Sequence, residues 1–422
     1  MRGHRSFSPG EIRRMWRPAA IAAMLGAAAS LAANPAAAKP KEETFTARAA
    51  ISLPNGQKIT SFDISWVDSN LGEYFLADRT NAAVDVVDTT TNAVGGQIKA
   101  NFAGAGPTPD TSGPNGVLTV RHRFLWVGDY GNGSNGGTGG LVKVIDLNNN
   151  SLVATIATGG VARADELCYD PKDHIILIAN DAEPFTATGG GPYVTFIDSQ
   201  TYTVLGRIVM NGQNGTPRAT NGIEQCQWIR RTDRFYLNIP EVNGPGDDTN
   251  PGAVLVINPT SMTIVRTFDI PHDQCEGPQG MAVGAFPQIL LGCNDPKKDV
   301  PRTVIIDARN GSTLFTVENE DGSDEVWYNS ADGHYFLGES GGANPQHLGI
   351  IDAATGKSDT SIKTGIPGGG GAHSVAADPN TLKVFVPIAS TSGAGLCSSV
   401  GGDDSVGCIA VVKAKAGTNE GE

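Results

Sequence analysis

"AVDVVD" occupies residues 83–88, and close copies of it recur along the chain: "LVKVID" ending at Asp146, "YVTFID" at Asp198, "AVLVIN" at Asn258, "RTVIID" at Asp307 and "HLGIID" at Asp352. Each copy is a short apolar run closed by Asp or Asn. A polar turn follows, and then a second extended run such as "SLVATI" (151–156) or "MTIVRTF" (262–268). A carboxylate or amide here can accept hydrogen bonds from backbone N–H groups two residues on and so fix a hairpin turn. These residues are therefore read as structural. Runs this short, bounded by turn signals and rich in β-branched residues, are strands.

Upstream of each copy lies a second pattern, seen in "SFDISWVDSNLGEYFLADR" (61–79), "RADELCYDPKDHIILIAND" (163–181) and "SDEVWYNSADGHYFLGES" (323–340). It gives two further strands joined by a tight turn, and a polar residue opens the first. The repeating unit is thus four strands, A to D. Aligned first strands place anchors at Asp63, Asn115, Asp165, Glu224, Gln279, Asp324 and His373. Successive anchors are roughly 45–60 residues apart, the size of one four-stranded blade. Seven anchors predict an all-β, seven-bladed propeller. The last unit supplies only three strands, at 374–377, 383–389 and 408–414. "FTARAAISLPNG" (45–56) has no blade of its own and is expected to supply the missing outer strand and close the ring, removing its open edges. Across about residues 44–415 this organisation resembles the YVTN-repeat propellers of exported bacterial proteins.

Composition agrees with a turn-rich β protein, with 54 Gly, 25 Pro and 18% charged residues among 422. The net charge of −13 argues against a nucleic-acid or anionic-membrane partner. No internal apolar run approaches the roughly 20 residues of a membrane span. Residues 1–38 read as an export signal: Arg13 and Arg14 precede an Ala-rich stretch that ends in Ala36, Ala37 and Ala38. The arginine pair resembles a twin-arginine signal, and the Sec route stays open beside it. The expected organisation is signal 1–38, linker 39–44, propeller 45–415 and polar tail 416–422, in a periplasmic or secreted monomer. Export would place six cysteines in an oxidising compartment. The expected pairs are Cys397–Cys408, Cys275–Cys293 and Cys168–Cys226. No Cys-x-x-Cys-His occurs, which excludes covalently attached c-type haem.

In a propeller the first strand lines the central channel, so the seven anchors form a polar ring at one mouth. Residues two places on, from Ser65 to Val375, are almost all apolar, so the channel is expected to be apolar below its lip. Second strands return to the same mouth and add Asp78, Asp129, Asn180, Asp181, Asn294, Asp295 and Glu339. Glu166 and Glu325 follow the ring directly. Crowded carboxylates repel unless protons, water or a cation compensate, and oxygen-only ligands favour Ca²⁺ or Mg²⁺. The metal ligands are expected to be Asp165, Glu224 and Asp324. Asp63, Asn115, Gln279, Asp129, Asn180 and Glu339 are expected to meet a small polar ligand or a partner protein of the same compartment. His373 is the one ring member that titrates near neutrality. His122, His174 and His334 fall in the A–B turns on the far side and are expected at the surface.

Two motif matches carry no chemistry. "GESGG" (338–342) follows an antiparallel strand and precedes no helix. "GNGSNGGTGG" (131–140) lacks the strand-to-helix setting of a phosphate loop. A binding protein without chemistry is the leading reading. The alternative rests on resemblance to the gluconolactonase-type propeller lactonases and to virginiamycin B lyase. It implies a divalent ion held by Asp165, Glu224 and Asp324, and His373 as base, acting on a small lactone or ester.

Overall fold

The computed structural model describes residues 43–133, 137–294, 302–340, 346–367, 369 and 371–415. Residues 1–38, most of the 39–44 linker, Asp295 and the tail 416–422 lie outside the described residues.

Seven antiparallel sheets form a ring, and in the first six the strands pair in chain order from the innermost outward. Blade one comprises Ser65–Asp68, Glu73–Asp78, Ala83–Asp88 and Val94–Ile98. In blade six the outer strand is split into Lys357–Ser358 and Ile362–Lys363. The innermost strands touch one another in cyclic order, the seventh returning to the first. Closure follows the expected route. Phe45–Ile51 pairs antiparallel with Cys408–Ala414 as the outer strand of blade seven.

There is no central core. Seven apolar clusters fill the wedges between neighbouring blades. Phe45 shows why the closing strand matters to more than its own sheet. It is buried and packs edge-on against Phe336 of blade six, ring centres 5.6 Å apart, and against His334 at 5.1 Å. That contact corrects one expectation: His334 is only 3% exposed, covered by the closing strand and paired with Asp359 at 3.1 Å. His122 remains exposed, and its Nδ1 meets Asp68 at 2.9 Å. His174 is half-buried.

The turn-closing residues behave as their chemistry requires. Asp198 Oδ1 accepts from the backbone N–H of Gln200 and Thr201, both at 2.8 Å. Asn258 accepts from Thr260 and Ser261 at 3.0 Å. The fourth residue after each such Asp or Asn takes a left-handed backbone: Asn92, Asn150, Tyr202, Met262, Gly311 and Gly356. The turn between first and second strands repeats the device, with Asp170 accepting from Lys172 and Asp378 from Asn380. All three expected disulfides are present. Cys168–Cys226 joins blades three and four inside their shared apolar cluster.

Candidate functional site

Each first strand enters the ring through a shared backbone pattern. The anchor N–H donates to a second-strand carbonyl, as Asp63 does to Ala77, Asn115 to Gly128, Asp165 to Ala179 and Glu224 to Asn238, all at 2.9–3.0 Å. The residue holding that carbonyl then donates its own N–H to the carbonyl one place after the anchor. Four blades thereby hold their anchors at one level of the channel. In blade six the register shifts between Ser323 and Glu325, so the anchor Asp324 and the residue after it reach the same cluster.

Two arginines meet the anchors. Arg79 directly follows blade one's second strand, buried at 6% exposure, and forms an ion pair with Asp63. It also donates to Asn115 Oδ1 at 3.0 Å from Nε and 2.7 Å from Nη2. Arg163, two residues before Asp165, reaches Asp165 at 2.5 Å and Asp181 at 3.2 Å. His373 Nε2 lies between Asp63 at 3.0 Å and Asp324 at 3.2 Å. The ring therefore brings together Asp63, Asn115, Asp165, Asp324 and His373 through two guanidinium groups and an imidazole. Glu224 lies close enough to Asp324, Asp181 and Asp165 to feel their charges. Gln279 takes part through its carbonyl, which accepts from Gln225 N–H and, at 2.8 Å, from Asn238 Nδ2.

Below the lip the channel is less apolar than the residue pattern suggests, because the position after the anchor also carries carboxyls. Glu166 of blade three and Glu325 of blade six interact directly. Gln225 Nε2 donates to Glu325 Oε2 at 2.9 Å. Glu166, Asp324 and Glu325 each offer an oxygen, all within 4.8 Å of one another.

Charges explain how this crowd coexists. Burial would raise the pKa of Asp63, but Arg79, the His373 hydrogen bond and Arg163 outweigh it and hold Asp63 well below the usual range. Burial pushes Glu325 up to about 8, with Asp324 and Asp63 adding repulsion against the relief from Glu166 and His373. Glu166 is also held well above the usual range, by burial and the facing Glu325, and so is Glu224, by burial and Asp324. Burial opposes a charged His373, yet Asp324 and Asp63 raise it to about 9. Near neutrality the imidazole is a cation.

Of the second-strand residues Asp181 joins the mouth through Arg163, whereas four others turn into their blades. Asp78, Asp129 and Asn180 are wholly buried beneath their own blades, and Glu339 is 1% exposed. Asp129 pairs with Lys143 at 2.9 Å. Asn180 Nδ2 donates to Thr158 at 2.8 Å. Glu339 meets His347 at 3.1 Å, between blades five and six. Each third strand begins at this end of its blade and draws these groups inward. The two arginines are what sequence reasoning missed. Arg163 stands at the even spacing that puts it on the same side of an extended chain as Asp165, which was the available signal.

No protein-family model matches the chain. No curated protein matches it in sequence. Among solved structures 1115 chains match, so the architecture is common and does not choose between functions. One of them, from "Crystal Structure of Mitotic Checkpoint Complex", aligns with a TM-score of 0.56 and 14% identity, over 85% of this chain and 94% of that one. At that identity the likeness shows the fold alone.

Proposed function

We propose that this chain is an exported propeller whose channel mouth binds a divalent cation, Ca²⁺ or Mg²⁺, or a small cationic ligand in its place. The observation that carries the reading is the convergence of Glu166, Asp324 and Glu325, with Glu224 beside them. Hard oxygens from two blades, gathered where water is largely excluded, suit a hard cation. Bound protons support it. Burial and mutual repulsion raise Asp165, Glu166, Glu224 and Glu325. A cation entering the mouth would take the place of protons that these carboxyls hold. Within this reading Asp165 acts through its pairing with Arg163, Asp324 is itself a ligand, and Glu224 stands near enough to interact with it electrostatically. Export rests on the amino-terminal sequence, and the three disulfides support it.

A hydrolase or lyase reading would use His373 in a changed role. Held at about 9 by Asp324 and Asp63, the imidazolium is a proton donor at neutral pH. Turnover of a lactone or ester would then fall as pH rises through about 9.

Thermal melting tests the cation. A ligand that binds only the folded chain raises Tm, by roughly 2 °C or more once its concentration is about a hundred times Kd. Ca²⁺ or Mg²⁺ should raise Tm and chelator should lower it, and Glu224→Gln should shrink the shift while leaving the protein folded. A melt that ignores cation and chelator alike would overturn the reading.

A further inference from the structure

The geometry points to a second, chemically different metal site outside the channel: Glu320, Glu339 and His347, between blades five and six, form a three-ligand site for a zinc-class ion. His347 Nε2 lies 3.2 Å from Glu320 Oε2 and 3.1 Å from Glu339 Oε2. The three residues are 2%, 1% and 8% exposed. One ligand atom from each falls within 4.8 Å of the others. Ser358 Oγ donates to Glu320 Oε1 and fixes that carboxylate's direction.

Two independent observations say that the cluster is built for a ligand. Neither oxygen of the buried Glu339 accepts a hydrogen bond of good geometry, although both are shut away from solvent. The nearest positive partner is the His347 imidazole at 3.1 Å, and a carboxylate buried in that way is costly unless it takes a proton, shares an imidazolium's charge or engages a metal ion. The second observation is Gly349, the third residue of its strand, paired with Leu337. The matching positions in blades one to three hold Asp85, Lys143 and Thr195, paired with Leu76, Val127 and Ile178. A Cβ on Gly349 would stand 2.3 Å from Glu320 Oε2 and 2.8 Å from Glu339 Oε1. Glycine alone leaves room for both carboxylates.

Zn²⁺ accepts both imidazole nitrogen and carboxylate oxygen, and its three-ligand sites keep a fourth position open; one imidazole and two carboxylates supply three such donors here. Here that position faces a cleft of about 580 Å³ lined by Gln346, Ser361 and Lys363 as well as by Glu320 and His347. Glu339 lies behind them. The imidazole is what separates this site from the all-oxygen mouth, and it selects a borderline ion over Ca²⁺.

The test is metal uptake by the full exported chain after chelation and dialysis. Zn²⁺ should bind at one equivalent, and Co²⁺ in its place should give visible bands of a low-coordinate nitrogen and oxygen site. His347→Gln should weaken zinc binding by more than the roughly 10–100-fold that loss of a supporting contact costs. Glu325→Gln, at the mouth, should leave zinc uptake unchanged, so failure here is distinguishable from failure of the mouth site. If His347→Gln does not fold, cobalt-loaded wild type decides: paramagnetically shifted ring signals that remain in His373→Ala support the site. No zinc uptake by wild type, uptake indifferent to His347→Gln, or cobalt without histidine signals would overturn it, leaving an imidazolium bridging two carboxylates.

Discussion

Arg163 and Arg79 carry the mouth's balance one residue at a time. Removing a partner from a buried ion pair leaves the other charge uncompensated. Arg163→Met should therefore destabilise the protein by about 1–3 kcal/mol near pH 7, because Asp165 and Asp181 lose a buried partner, and burial, which already raises both, lets them answer by taking protons. Asp85 makes the opposite case, away from the mouth. Burial first, and then the neighbouring Asp78, push its pKa to about 8. Between about 4 and 8 the folded chain holds a proton that the unfolded chain has lost, so this residue makes stability fall as pH rises through that window. Asp85→Asn keeps the shape and removes the titration. Denaturant unfolding should find the variant close to wild type at pH 4 and more stable by roughly 1–3 kcal/mol at pH 8. An equal difference at both pH values would contradict that assignment. The anchors and the acids after them were legible because strand alternation places them. The fates of Asp129, paired with Lys143, and of Glu339, paired with His347, were not. Those partners lie on the third strand, and one-strand reasoning cannot tell which neighbour a buried end residue will turn toward.

Turns are the elements that made the fold readable. An Asp or Asn closing each third strand signals a hairpin through its own hydrogen bonds, as Asp88 shows by accepting from Thr90 at 2.9 Å and Thr91 at 2.7 Å. The left-handed fourth residue is the part that the sequence hides, because Tyr202 and Met262 occupy it as well as glycine and asparagine, and Leu382 takes the matching place in the first-to-second-strand turn of blade seven. Leu382 has φ 55° and is 41% exposed, so it bears the steric cost of that backbone with limited packing in return. Leu382→Gly should leave stability unchanged or raise it by up to about 1 kcal/mol in a denaturant melt. A loss of the same size would show that its packing outweighs the strain. The closing strand is the other decisive element. Phe45→Ala removes its anchor in the wedge beside blade six and should cost about 3–5 kcal/mol. Deleting residues 39–55 should cost several kcal/mol by reopening the ring.

On the scale of the molecule, seven wedge-shaped cores tie each blade to its neighbours, and the first strands are left to surround a channel. Ring size was legible because the repeat was regular. The mouth's chemistry was only half legible, because it arises where residues far apart in the chain converge: Glu166 meets Glu325, and Asp63 meets His373. Such a convergence of acids around a few fixed cations is the basis for assigning the mouth to a cation. Calorimetric titration of the metal-free protein with Ca²⁺, and separately Mg²⁺, at pH 7.5 tests this most directly, in two buffers that differ in ionisation enthalpy. A bound cation must displace protons that the raised carboxyls hold. Saturable binding near one equivalent is expected for at least one of the two ions, with proton release into the buffer, much weakened in Glu325→Gln. Absence of saturable heat with either ion, or binding that Glu325→Gln leaves untouched, would contradict it.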